Sequence, residues 1–196
     1  MPAFTDNVAL ARALPPLLGR YIAPDELIYA AGDRGIAWRI ASGVVRLDRP
    51  GSDEVGFAGL ALSGDLIGVE TLLLGQYSLS ARAIKGCQLL AWSPSSDDPS
   101  SDTMARIFSA IERRAADALA LRCGDAFDRM RRLFRLLADE QPDQATIQVT
   151  IPSLKDMAEM TGLTRETASR TITQFVKSGL LIKLDRHTGL VEAGHF

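Results

Sequence analysis

The spacing of hydrophobic residues changes twice along the chain and predicts three regions. Between residues 25 and 93, short apolar runs alternate with glycines, a pattern typical of strands joined by tight turns. From about Asp102 to Cys123, apolar residues recur at helical spacing, and further helical patterns follow Gly124. The pattern predicts an α+β fold, with an N-terminal β jelly roll, a long helix and a C-terminal helical domain.

Two interruptions indicate where these regions meet. The segment PSSDDPSS at 94–101 is rich in turn-forming residues, and Gly124-Asp125 breaks the helical pattern. We therefore expect a β domain at 1–101, a connecting helix at 102–126 and a helical domain at 127–196. Inside the β domain, the stretch WRIASGVVRLDRPGSDEVGFAGL favours two strands around a turn at Pro50-Gly51-Ser52-Asp53.

The predicted long helix carries an apolar stripe. Such a stripe favours packing against a second copy of the same helix, so its members are a candidate dimer interface. Burial against the β domain is the alternative, since it also fits an apolar stripe. The stripe consists of Met104, Ile107, Ile111, Ala115, Ala118 and Leu121.

Residues 153–182 have the pattern of a helix-turn-helix. Ser153 followed by Asp156 is typical of a helix start, and a glycine-containing turn, Thr161-Gly162-Leu163, leads to a second helix. A preceding helix is expected at about 127–139, with a core face of Met130, Leu133, Phe134 and Leu137.

Strands are expected on both sides of this motif. Thr146–Ile151 alternates as a short strand, and Ser178-Gly179 predicts the end of the second helix. The following LLIKLDRHTGLVE predicts two strands around Arg186–Gly189. Two strands after the second helix form a wing, so the domain is predicted to be a winged helix-turn-helix.

The second helix of the motif separates into two faces. One face is apolar and is expected to face a core: Ala168, Ile172, Phe175 and Val176. The other covers an arc of roughly 140° at about 100° per residue and consists of Arg165, Glu166, Ser169, Arg170 and Thr173. These side chains can hydrogen-bond base edges, so the sequence predicts binding to double-stranded DNA. The alternative is an ordinary solvated helix face.

Composition limits how the chain could bind DNA and in which compartment it could act. The net charge of −2 and the pI of about 5.7 argue against coating of DNA by bulk charge, although a site-specific reader needs positive charge only locally. No apolar run approaches the roughly 18 residues of a membrane span, and the start lacks the pattern of a secretory signal. Cys87 and Cys123 lie too far apart for a zinc signature. We expect a cytoplasmic protein without a membrane partner.

Three stretches resemble the Crp/Fnr family of bacterial transcription regulators. GDLIGVETLLLGQYSLSARAI is similar to the family's phosphate-binding cassette, FDRMRRLFRLLA to its hinge and following helix, and LTRETASRTITQFVKSGLL to its recognition helix. The likeness covers about residues 25–193. It implies a cyclic-nucleotide-binding-like jelly roll, a dimerisation helix and a winged helix-turn-helix. It also implies a homodimer on an inverted repeat, with RNA polymerase as a partner.

The resemblance assigns roles to individual residues. Arg165, Glu166 and Arg170 occupy positions that read G·C pairs in the family, which agrees with the bonding capacity of arginine for guanine and of glutamate for cytosine. Ser169 stands where another branch of the family places a base-contacting serine, so the base sequence of the half-site is not determined. Three further residues are expected to contact DNA phosphate. Thr164 could also cap the helix, and Lys183 and Arg186 belong to the wing.

The sensor domain departs from the family's pattern. Val69 and Leu79 stand where a cyclic-nucleotide cassette needs a glutamate and an arginine, so cyclic AMP is not expected as the ligand. Two cysteines cannot supply the four ligands of an iron–sulfur cluster. Haem is disfavoured because the remaining β-domain candidate for an axial ligand is Cys87. A cysteine on a strand is more often a buried structural residue than a haem ligand. Three modes of regulation stay open: binding of another small metabolite, permanent competence, and control by protein abundance or by a partner.

Other function classes are disfavoured. The chain shows no nucleophile–base pair at a glycine elbow, no metal-ligand cluster and no phosphate-cradling GxxxxGK motif, so an enzyme is not expected. The alternative to a DNA-binding regulator is an effector-binding or protein-interaction module whose helix-turn-helix no longer reads DNA. Target genes, the effector and the sign of regulation do not follow from the sequence.

Overall fold

A computed structural model describes residues 19–51, 56–93, 101–138 and 146–192. The chain divides into two compact units, Met1–Ala116 and Asp117–Phe196. The division falls inside the long helix, so this helix contributes residues to both units. The predicted break at 94–101 lies almost entirely outside the described residues, as do two residues of the turn at Pro50–Asp53.

The first unit contains two four-stranded antiparallel sheets, as predicted for a jelly roll. One sheet has the strand order β1-β8-β3-β6 and the other β2-β7-β4-β5. A short helix, α1, lies between β6 and β7. The bounds are Gly19–Ile22 (β1), Leu27–Tyr29 (β2), Ala37–Ser42 (β3), Val45–Arg49 (β4), Gly56–Ala61 (β5), Leu66–Ile67 (β6), Thr71–Leu74 (α1), Ser80–Ala83 (β7) and Cys87–Trp92 (β8).

The stretch from Trp38 to Leu60 forms three strands, and the prediction of two strands there was wrong. β4 and β5 pair as the predicted hairpin, whereas β3 pairs with β8 and β6 in the opposite sheet. The chain changes sheets at Ser42-Gly43-Val44, where Gly43 has a φ of +101°. Only glycine adopts such a backbone without strain. A single glycine can therefore separate two strands that hydrophobic spacing reads as one.

The core of the first unit lies between its two sheets. Alternate residues of the strands supply it, among them Val45 and Leu47 of β4 and Ala81 and Ala83 of β7. Cys87 is fully buried in this core, and burial raises the pKa of its thiol to about 11. The expectation of a buried strand cysteine is thus confirmed. The Tyr29 and Tyr77 rings stack with centroids 3.6 Å apart.

The described residues of the second unit form a helical domain with a small sheet. The helix α2, Ser101–Ala120, enters it, and α3 (Ala126–Leu137), α4 (Leu154–Thr161) and α5 (Arg165–Lys177) follow. The strands β9 (Thr146–Thr150), β10 (Leu181–Lys183) and β11 (Thr188–Glu192) pair in the order β10-β11-β9. This is the predicted winged helix-turn-helix, including the wing. Its largest fully buried side chains include Met130, Leu133, Phe134, Leu137, Met157 and Phe175.

Arginines of α3 satisfy the carbonyls at the ends of two other helices. Arg132 donates to the carbonyls of Ala120, at 2.8 Å, and Cys123. Arg129 donates to the carbonyls of Gly124, at 2.9 Å, and Thr161, at 3.2 Å. The last carbonyls of a helix lack partners within it, and cationic side chains are favourable there. These bonds fix the helix-turn-helix to the segment that follows α2.

Candidate nucleic-acid interface

The turn between α4 and α5 is set by local hydrogen bonds. Ser153 caps α4: its hydroxyl accepts from the Asp156 backbone N–H at 3.1 Å and donates to the Asp156 carboxylate at 2.6 Å. At the other end, Gly162 has a φ of +66°, and the Leu163 N–H bonds the Ala158 carbonyl at 3.0 Å. A glycine in the left-handed region ends a helix sharply. The predicted cap and the predicted turn are both confirmed.

The recognition helix α5 begins with a side-chain cap. The Thr164 hydroxyl accepts from the Thr167 N–H at 3.1 Å and lies 2.9 Å from the Thr167 hydroxyl. The capping role expected of Thr164 is confirmed, and its contact with phosphate stays a prediction. Because the first helical N–H groups and Arg165 lie at this exposed end, the start of α5 is both positively polarised and open to a ligand.

The inner face of α5 packs on α3 through aromatic rings. Phe175 stacks on Phe127 with centroids 4.3 Å apart and meets Phe134 edge-on at 5.7 Å. Ala168, Ile172 and Phe175 are buried as predicted, but Val176 is 41% exposed and Thr171 is buried instead. At about 100° per residue, Thr171 lies closer than Val176 to the direction of the other three. The core face is thus rotated toward Thr171.

The outer face of α5 presents the five polar residues that the sequence placed together: Arg165, Glu166, Ser169, Arg170 and Thr173 are all exposed. Glu166 and Arg170 form an ion pair across one helical turn. The side chain of Arg165 has no hydrogen-bond or ion-pair partner in the described part of the chain. A free guanidinium beside a preformed carboxylate–guanidinium pair supplies both donors and an acceptor for base edges.

The wing carries its predicted cations and an apolar surface that sequence reasoning missed. Lys183 and Arg186 are exposed. The Asp185 carboxylate accepts from the His187 backbone N–H at 2.7 Å, which shapes the turn and lowers the pKa of Asp185. Ile182 and Leu184 are 54% and 57% exposed. The sequence alternates apolar and cationic residues at Ile182, Lys183 and Leu184. This alternation would have predicted a wing with an apolar side and a cationic side.

The long helix α2 shows which residues of the predicted stripe are available to a second chain. Met104, Ile111 and Ala115 are exposed, whereas Ile107 and Ala118 are half-buried. Leu121 lies beyond the helix and is 1% exposed within the single chain, so its assignment to a dimer interface was wrong. Phe108 and Leu119, which sequence reasoning missed, are 61% and 70% exposed on the same side as Ile111. The exposed stripe is Met104, Phe108, Ile111, Ala115 and Leu119.

In the cassette region of the first unit, Tyr77 packs against Gly68 and bonds the backbone of Ile36. The Tyr77 hydroxyl donates to the Ile36 carbonyl at 2.7 Å and accepts from the Ile36 N–H at 3.0 Å. A Cβ atom at Gly68 would lie 2.6 Å from the Tyr77 ring. Arg82 bonds Asp25 at 3.2 Å and stands between Ala81 and Ala83, which face the core, so it points away from the core.

The chain matches one domain family in sequence and several solved structures in fold. Residues 130–192 match the Crp-like helix-turn-helix domain. Among solved structures, TTHB099, a CRP-family transcriptional regulator from Thermus thermophilus, has a TM-score of 0.68 and 21% identity over 89% of this chain and 93% of its own. FixK2 from Bradyrhizobium japonicum has a TM-score of 0.66 and 23% identity over 89% and 91%. No curated protein sequence matches significantly.

A third solved structure is also similar in fold. CLP from Xanthomonas campestris, described as a c-di-GMP-responsive global regulator, has a TM-score of 0.64 and 20% identity over 89% of this chain and 94% of its own. These likenesses extend over the β sheets, the long helix and the winged domain together. No helix among the described residues is long and apolar enough to cross a membrane.

Proposed function

We infer that this chain, which contains a Crp-like helix-turn-helix domain and has the fold of the CRP/FNR transcriptional regulators, binds DNA as a homodimer at an inverted repeat and regulates transcription there. The observation that carries the proposal is α5. It is capped by Thr164, packed on α3 through Phe175, and exposes Arg165, Glu166, Ser169 and Arg170 together. A rigid helix with such a face is what major-groove reading requires.

Two-fold symmetry defines the expected site. A dimer with one recognition helix per subunit reads two inverted half-sites about one helical turn apart. Selection of bound sequences from a random duplex pool should therefore yield an inverted repeat with G·C pairs in each half. A pool enriched in single half-sites or in direct repeats would contradict the dimer geometry. RNA polymerase in the cytoplasm is the proposed downstream partner.

Removing the cations of the wing should weaken DNA binding without changing sequence preference. Lys183, at the end of β10, and Arg186, in the turn that follows it, are both exposed, where they are placed for phosphate rather than base edges. Lys183→Ala and Arg186→Ala should lower affinity for selected and random duplexes by similar factors. Each should also reduce the slope of log affinity against log salt by about one. A loss confined to the selected site would assign these residues to base reading instead.

Replacement of Glu166 tests base reading by whether affinity for random duplexes rises or falls. A carboxylate near DNA is electrostatically unfavourable unless it accepts from cytosine or orients a neighbouring cation. Glu166→Ala should therefore relax the sequence preference while keeping or raising affinity for random duplexes. Glu166→Gln, which retains the length of the side chain, is the matched control for packing. Filter binding on selected and random duplexes measures both quantities, and equal losses on the two would contradict base reading.

The effector is proposed not to be cyclic AMP. Support comes from Tyr77, which lies against Gly68 in the cassette, and from Arg82, whose ion pair with Asp25 directs it away from the core. Iron–sulfur sensing is also disfavoured because two cysteines cannot supply the four ligands of a cluster, and haem sensing is disfavoured because Cys87 is a buried strand residue of the core.

A protein-interaction module is the second candidate function. Exposed Ile182 and Leu184 on the wing favour it, because exposed apolar side chains that lie close together mark contact surfaces. A salt-titrated binding assay separates the two functions. A site-specific regulator should show a steep salt dependence and a large ratio of specific to random affinity, and a protein-interaction module should show neither.

A further inference from the structure

Arg129 of α3 joins the segment that follows the long helix to the turn of the helix-turn-helix. Its Nε donates to the Gly124 carbonyl at 2.9 Å, and its Nη1 donates to the Thr161 carbonyl at 3.2 Å. Thr161 is the last residue of α4, directly before the turn that leads to α5. Because the donors of a guanidinium lie in a rigid plane, one side chain holds both carbonyls at a fixed separation. The direction of α5 is therefore tied to the backbone at Gly124.

Arg132, almost one turn further along α3, holds the end of the long helix itself. Its Nη1 donates to the Ala120 carbonyl at 2.8 Å and also to the Cys123 carbonyl. Ala120 is the last residue of α2, and its neighbour Leu119 belongs to the exposed stripe that is expected at the dimer interface. The last carbonyls of a helix lack partners within it, so a cation is favourable there. These contacts lie within the second unit and attach α3 to the last turn of α2.

The recognition helix is fixed to α3 as well, because Phe175 of α5 stacks on Phe127 and meets Phe134 edge-on. In a dimer that is joined along α2, the separation and relative rotation of the two recognition helices depend on this connection in each subunit. One base pair added between two half-sites moves the second half-site by about 3.4 Å and rotates it by about 35°. A connection held at four backbone carbonyls resists a change of that size.

We propose that Arg129 and Arg132 are positioning residues that set the spacing between the half-sites that this protein accepts. They act through the orientation of α5 relative to the end of α2, and not on the identity of the bases. The inference rests on the proposed function, because it takes a dimer on an inverted repeat as its premise. It goes beyond that function by assigning the choice of spacer length to two residues outside the recognition helix.

The test compares inverted repeats that differ only in spacer length. Affinities of the full chain are measured on the selected repeat and on repeats with one base pair added to or removed from the spacer. Arg129→Ala and Arg132→Ala should each reduce the ratio of affinities, selected over altered spacer, by about tenfold, the effect expected for loss of charged hydrogen bonds. The cost of replacing one G·C pair within a half-site should keep its wild-type value. A wild-type spacer ratio in both variants would overturn the assignment.

Arg131→Ala is the matched control for this comparison. Arg131 lies between the two arginines on α3, is exposed, and has no hydrogen-bond or ion-pair partner in the described part of the chain. Its replacement removes the same charge, so the spacer ratio should not change. A variant that is only less stable lowers affinity for every duplex by one factor and does not alter this ratio either. An equal reduction of the ratio by Arg131→Ala would indicate a general charge effect and would count against the proposal.

A measurement without DNA separates this inference from the proposed function. A nitroxide label is attached at Gln174→Cys, an exposed position of α5, in a Cys123→Ser background, where the remaining Cys87 is buried. The distance between the two labels of a dimer is then measured by electron paramagnetic resonance. The distribution should be narrow with both arginines present and broader for Arg129→Ala and Arg132→Ala.

The two experiments together identify which claim fails. A narrow distribution that broadens in the variants, in a protein that binds no duplex, would refute DNA reading and leave the positioning role in place. Equal widths in all proteins, with specific binding intact, would refute the positioning role alone. Should an alanine variant fail to fold, the lysine variant of the same residue replaces it. Lysine keeps the charge but lacks the planar fork of donors, so it should also broaden the distribution and lower the spacer ratio.

Discussion

Arg165→Ala and Arg170→Ala should each lower affinity for the selected inverted repeat by at least about tenfold, because a bidentate guanine contact contributes roughly 1–3 kcal/mol and a dimer makes it twice. Affinity for random duplexes should fall much less. The structure supports the assignment, since both side chains are exposed on the outer face of α5 while the inner face is fixed by Phe175.

Arg165→Ala and Arg170→Ala should differ in how much each lowers affinity for the selected site. Arg170 is already paired with Glu166, so its replacement also frees a carboxylate near the DNA. Arg165 has no such partner among the described residues. We therefore expect Arg170→Ala to cost more at the selected site than Arg165→Ala. Arg135→Ala, an exposed arginine on α3, is the matched control and should change neither affinity appreciably. Equal losses on selected and random duplexes would show that α5 contacts phosphate only.

Ile111→Asp should convert a dimer into a monomer. Ile111 is 43% exposed in the single chain, between Phe108 and Ala115 of the exposed stripe. Burying a carboxylate in an apolar seam without a partner costs several kcal/mol, and each dimer would bury two. Phe108→Asp should act in the same way. Sedimentation at micromolar concentration should show a dimer for wild type and a monomer for both variants.

The control for this experiment lies on the same helix. Ser109 is exposed but points about 100° to 160° away from Phe108 and Ile111, so Ser109→Asp should remain dimeric. Because all three positions are exposed in the single chain, circular dichroism should show unchanged folding. A monomeric wild type, or an Ile111→Asp variant that retains the wild-type mass, would remove the long helix from the dimer interface. In that case inverted-repeat binding would need another origin.

Local signals identified the part of the molecule that is proposed to read DNA. The caps Ser153 and Thr164, the turn glycine Gly162 and the wing depend on hydrogen bonds within a few residues, so sequence spacing was sufficient to predict them. The outer face of α5 also followed from periodicity alone. Its preformed Glu166–Arg170 pair is a contact across one turn, which the sequence permits but does not require.

The sequence by itself determined the order of the three regions, the helix ends to within a few residues and the outer face of α5, since these depend on local backbone geometry. Tertiary structure alone decided which element covers each face. Periodicity could not show that Leu121 is buried and Phe108 exposed, that Thr171 replaces Val176 in the core, or that β3 joins the opposite sheet. Burial depends on how the whole chain packs, and the identity of an apolar side chain does not determine which residues it will contact.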